Sequence, residues 1–171
     1  MRTLLIALLC VSTLVAADLP RPAQRFLLPD VHGKDHDSWD YKGRALVLEF
    51  MATTCPHCAA FSKVLNQIQG RYFGRVAVVA LVNPPDTPEG VSSFITEHKV
   101  NYPILLDQGR VAYAYIRKQA FDIPYIFLID ANGQIREEFQ FSAATQQIFE
   151  GNALFPHLDA LVAASFGAGK K

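Results

Sequence analysis

Two seven-residue runs, Ala45–Met51 and Val76–Val82, constrain this chain more than any other feature. Each is almost unbroken in apolar side chains, so neither has a face left for water. That pattern belongs to a strand covered on both sides. Between the runs, Phe61, Val64, Leu65 and Ile68 recur at the spacing of one helical face, and Gly70 lies near the helix's expected end. Strand, helix and strand in this order predict an α/β sheet with layers on both faces.

The rest of the chain extends the pattern. Pro20 to Pro22 reads as a stiff leader, and Phe26-Leu27-Leu28 with the turn around Asp30 to Lys34 as a short hairpin-like entry. Asn83 to Gly90 holds three prolines and reads as an ordered loop, in which Thr87-Pro88 pairs an N-cap with a first helical proline. The helix that follows carries Val91, Phe94, Ile95 and His98 on one face. Pro103 to Leu106 reads as a strand, and Asp107 as the cap of a helix running to about Lys118. Tyr125 to Ile129 is a further strand, and Asn132-Gly133 predicts a two-residue hairpin into Gln134 to Phe141. Phe155, Leu158, Leu161 and Val162 mark a last helix. Together these predict one domain over residues 18–166, a three-layer α/β/α sandwich around a central mixed sheet.

Composition narrows the function. The 171 residues suit a single buried core, and 16 basic against 16 acidic side chains create no field for steering nucleic acid. Residues 1–17 read as a signal peptide. Met1-Arg2 is followed by the apolar Thr3 to Val15 and by small residues at Ala16-Ala17, ahead of Asp18. The run is shorter than the ~20 residues of a membrane span. Membrane attachment enters only if this segment stays on as an anchor. A lipid-modified Cys10 is disfavoured by bulky Leu9 before it. Residues 167–171 read as a small, basic, frayed tail. Export would place the protein in the periplasm or outside the cell, where no bulk thiol pool necessarily keeps cysteines reduced. Of three cysteines, Cys10 lies in the signal, which leaves Cys55 and Cys58.

The chemistry sits in Cys55-Pro56-His57-Cys58, directly after a buried strand and at the start of a helix. Unpaired N–H groups at a helix N-terminus favour a thiolate at Cys55. Cys58, one turn inside, is the shielded resolving thiol. Two cysteines at this spacing form a small disulfide and exchange it through a mixed disulfide. As a structural staple the loop is too short to contribute much, roughly 2 kcal/mol against ~4.7 for a hundred-residue loop. Zinc would need about two more ligands, and His32, His36, His98 and His157 are scattered. Soft Cu(I) held by the thiolates and His57 is the non-enzymatic alternative.

Glu49 to Cys58, with Ile123-Pro124 ahead of a strand, resembles the thioredoxin fold. The entry segment, the insertion around Asn83 to Tyr102 and the export signal resemble the TlpA/ResA-type extracytoplasmic thiol–disulfide oxidoreductases, within the broader AhpC/TSA-redoxin superfamily. The likeness spans roughly Arg25 to Ser165. Thr54 stands where that family usually has Trp. The resemblance implies an enzyme exchanging disulfides with cysteine pairs of other exported proteins and with a redox partner, without an organic cofactor or metal. It implies that Pro56, Ile123 and a cis Pro124 face the substrate, and that Glu49 is a buried acid moving the proton of Cys58. His57 would stabilise the Cys55 thiolate. Pro-His is also the dipeptide of the strong oxidant DsbA, near about −120 mV, whereas the family resemblance points to a reductant nearer thioredoxin's about −270 mV. A thiol peroxidase of the same superfamily would need Pro at 48 and Thr or Ser at 52; the chain has Leu48 and Ala52. Copper carriers of this fold use a C-x-x-x-C spacing, which is absent.

Overall fold

The computed structural model describes residues 19–166, so the signal and tail readings lie outside the described residues. In chain order the elements are β1 (Arg21–Pro22), β2 (Leu27–Pro29), β3 (Asp35–Asp37), a 3-10 turn (Ser38–Tyr41), β4 (Ala45–Met51), α1 (Pro56–Arg71) and β5 (Val76–Val82). Then come α2 (Pro88–His98), β6 (Ile104–Leu106), α3 (Arg110–Ile116), β7 (Tyr125–Ile129), β8 (Gln134–Gln140), α4 (Gln146–Glu150) and α5 (Leu154–Phe166).

Six strands form one sheet in the order β1-β8-β7-β4-β5-β6. β4, β5 and β6 are parallel, while β7, β8 and β1 each run antiparallel to the neighbour before them. β2 and β3 make a separate hairpin, as the entry segment predicts. Both long apolar runs are buried along their whole length because each has a paired strand on either side.

Alternation along β4 assigns its side chains to two cores. Leu46, Leu48 and Phe50 pack on one face with Ala112, Tyr115 and Ile116 of α3 and with Phe26 of the entry segment. Ala45, Val47 and Met51 pack on the other, against α1, α2, α4 and α5. Glu49 follows the same alternation and so points under α1. The sandwich is therefore mixed in strand direction and covered on both faces.

Four local expectations change. Asp107 is not the N-cap of α3; Gly109, at φ +81, holds that position. The Asp107 carboxylate still accepts the backbone N–H groups of Gln108, Val111 and Ala112 from the preceding loop, so the chemistry of capping is kept while the position moves. The helix stops at Ile116, short of Lys118, where Arg117 turns left-handed at φ 55. The hairpin after β7 is a three-residue connection: Asp130 N–H bonds to Gln134 O and Gly133 N–H to Asp130 O, with Gly133 at φ +79. Finally, the proline leader contributes β1, an edge strand along β8 that tolerates Pro22 because its outer side pairs with nothing in the sheet.

Candidate active site

β4 carries the chain to the edge of the sheet, and the turn Ala52–Thr54 swings it into α1. Asp86, on the loop after β5, holds that turn by accepting from the Thr53 backbone N–H and hydroxyl. Cys55 is the N-cap of α1, with extended backbone (φ −86, ψ 116), and Pro56 takes the first turn, where a missing N–H leaves no bond unmade. The Cys55 sulfur accepts the Cys58 N–H at 3.3 Å and donates its own proton toward the Ile123 carbonyl at 3.7 Å. Both cysteines are free thiols; Cys55 is half-buried and Cys58 is 1% exposed.

The Ile123–Pro124 peptide is cis, and the Ile123 carbonyl lies against the Cys55 sulfur. The Pro124 carbonyl accepts the Phe141 N–H at 3.0 Å, which ties this loop to the end of β8. Pro56, Ile123 and Pro124 thus gather around one sulfur, although Cys55 and Ile123 are 68 residues apart in sequence.

Glu49 is wholly buried, and neither carboxyl oxygen has a hydrogen-bond partner among the described residues. Desolvation pushes its pKa up to about 8. Burial also pushes the Cys58 thiol well above its ordinary value, with the Glu49 charge and the bond to Cys55 adding to the effect. Tyr102, just before β6, has a buried hydroxyl that is likewise unpartnered. Its phenol is raised first by burial, then by Glu49 and Cys58. A buried polar cluster of carboxyl, thiol and phenol therefore sits beneath the half-buried Cys55 sulfur.

His57 points elsewhere. Its Nδ1 lies 2.7 Å from Glu150 Oε1 at the end of α4, and its ring stacks on Phe141 at 3.9 Å between centroids. Gln146 donates to the other Glu150 oxygen. Among the described residues no three His, Cys, Asp or Glu side chains gather as a metal site. Sequence spacing pointed to neither Tyr102, Asp86, Phe141 nor Glu150. Each reaches the site from a distant element, and no local pattern marks it.

Comparison with known proteins agrees with this geometry. The AhpC/TSA family model matches residues 19–138. The thiol-disulfide oxidoreductase ResA of Bacillus thuringiensis subsp. konkukian is 23% identical over 134 residues, covering 78% of this chain and 76% of that protein. ResA of Bacillus subtilis is 33% identical over 115 residues, 66% of this chain and 62% of its own length. A crystal structure of a thiol:disulfide interchange protein of the thioredoxin family from Chlorobium tepidum superposes with a TM-score of 0.66 at 23% identity, covering 86% of this chain and 99% of that one. With its dithiol at a helix N-terminus, on a thioredoxin-like sheet, the chain belongs to the AhpC/TSA family and is a thiol–disulfide oxidoreductase.

Proposed function

We propose that Cys55 is the attacking thiol, Cys58 the resolving thiol and Glu49 the group that takes the proton from Cys58. The observation that carries this reading is the contrast between the two sulfurs. Cys55 is reachable and receives an N–H bond from the helix, whereas Cys58 is 1% exposed. Accepting an N–H stabilises a thiolate more than a thiol. The Cys55 thiolate attacks one sulfur of a substrate disulfide, forming a mixed disulfide and releasing the other substrate sulfur as a thiolate. Cys58 then gives its proton to Glu49 and attacks Cys55, which closes the Cys55–Cys58 disulfide and frees the second substrate thiol. Two electrons pass from the protein to the substrate; the reverse sequence oxidises a substrate dithiol.

The substrates in this reading are cysteine pairs of other exported proteins. The Ile123 carbonyl, with Pro124 and Pro56 beside it, supplies a backbone-reading surface next to Cys55. Export rests on the character of residues 1–17; none of the helices described is long and apolar enough to cross a membrane.

Trapping tests the roles. Cys58→Ser should accumulate mixed disulfides with disulfide-containing substrate proteins, and Cys55→Ser should not; trapping through Cys58 instead reverses the assignment. Intact-mass measurement of the exported protein should give a chain beginning at Asp18, and a mass that retains residues 1–17 would make the segment an anchor.

A further inference from the structure

The Pro-His dipeptide and the family pull the redox potential in opposite directions, and one contact bears on which prevails. His57 sits between the two cysteines, where a cationic imidazole would stabilise the Cys55 thiolate and with it the reduced form. The ring is instead held by Glu150, 2.7 Å from Nδ1, and by the face of Phe141 at 3.9 Å. Glu150 is itself oriented by Gln146, one turn earlier on α4. Phe149 fastens α4 to α1 from below, because it is fully buried and meets Phe61 edge-on at 5.0 Å between centroids. The acceptor for His57 therefore sits on a packed element. These bonds hold the Glu150 carboxyl below the usual carboxylate range, first through Gln146 and then through His57.

We propose that Glu150 is a positioning residue that withholds His57 from Cys55 and so keeps the Cys55–Cys58 couple reducing. Resting on the exchange reading above, the proposal supplies the direction of electron flow. The Glu150 carboxylate engages Nδ1, so that nitrogen is not available to the Cys55 sulfur. The bond also aims Nδ1 at α4. Without Glu150, Nδ1 is free to turn and donate a hydrogen bond to the Cys55 thiolate, and the protein moves toward the behaviour of an oxidant. The physiological role that follows is donation of electrons to disulfides of other proteins.

The relevant equilibrium is protein disulfide plus two glutathione thiols against protein dithiol plus glutathione disulfide. It should be measured at neutral pH for wild type, Glu150→Gln, Glu150→Asp, His57→Ala and the double variant His57→Ala/Glu150→Gln. Glu150→Gln should shift the equilibrium about fivefold toward the dithiol, about 20 mV in a couple where tenfold is about 30 mV. Glu150→Asp, which keeps the charge, should stay near wild type. In the His57→Ala background the Glu150→Gln shift should vanish, since the effect runs through the imidazole. Glu150 is on the surface, so circular dichroism should report an unchanged fold in every variant. An unshifted Glu150→Gln overturns the proposal, and so does an equal shift without His57. A wild-type pair that never equilibrates with glutathione overturns the exchange reading itself, and this proposal with it.

Discussion

A carboxyl group in the middle of a central strand, with no partner for either oxygen among the described residues, is a destabilising feature that needs a reason. Glu49 answers by holding its proton at neutral pH in most molecules: burial raises its pKa from 4.5 to about 8, which leaves a minority of carboxylate able to take the Cys58 proton. The sign of the pH dependence follows. The folded form holds the proton more tightly than the unfolded chain, so the associated stability is complete below about pH 4.5 and is lost as pH rises through about 8. Over that window the loss is on the order of 4 kcal/mol. Glu49→Gln cannot titrate, so urea unfolding of the reduced protein at acidic and mildly alkaline pH should show a much flatter profile than wild type. The same substitution should slow reduction of a disulfide substrate on the order of tenfold to a hundredfold while leaving the glutathione equilibrium nearly unchanged. Wild-type turnover in Glu49→Gln would reduce the residue to a structural oddity. That Glu49 interrupts an apolar run is plain from the sequence. That Tyr102 and Cys58 share its pocket is not, because alternation on β4 and the return of the chain before β6 bring them there together.

At the scale of elements, helix ends carry the local logic. Cys55, Thr87 and Asp107 each accept N–H groups at the start of a helix, and only the last departs from the textual position of a cap. Asp107 is 2% exposed and satisfies three backbone donors, of which the Ala112 N–H is buried. Asp107→Ala should therefore destabilise the protein by about 2 kcal/mol, the upper end for a lost cap. Thermal unfolding measures it, and a shift no larger than for a surface alanine would show that α3 holds without its cap. α4 teaches the opposite lesson. Its five residues are too few for a periodic signal, and nothing local distinguishes them from a loop. The element exists because Ile148 and Phe149 drop into the core beside α1, and it is this packing that presents Glu150 to His57.

At the scale of the whole molecule, β1 fastens the sheet edge to the layer beneath it. Arg21 donates to the Tyr115 carbonyl at 2.6 Å at the end of α3 and lies 3.5 Å from Glu138 on β8. Both side chains of that pair are mostly shielded, at 11% and 16% exposure, so the interaction outlasts the screening that weakens surface pairs. Arg21→Met should cost about 2–3 kcal/mol in urea unfolding, since Glu138 and the Tyr115 carbonyl lose a donor where little water reaches. A change within the range of ordinary surface substitutions would make β1 ornamental. Much of this architecture was legible beforehand. The limits of β4, β5 and β7, the face of α1 and the Cys pair at its start all follow from local hydrophobic period and turn chemistry, which neighbouring residues alone determine. What only the tertiary structure decided is what surrounds Glu49 and what holds His57: Tyr102 beneath the Cys pair and Glu150 at its side. These contacts join elements as far as 93 residues apart, and their geometry comes from how strand order and helix packing close the chain on itself. Period and propensity act over a few residues, so they specify the elements; the partners of a functional side chain are specified by the surfaces those elements bury together.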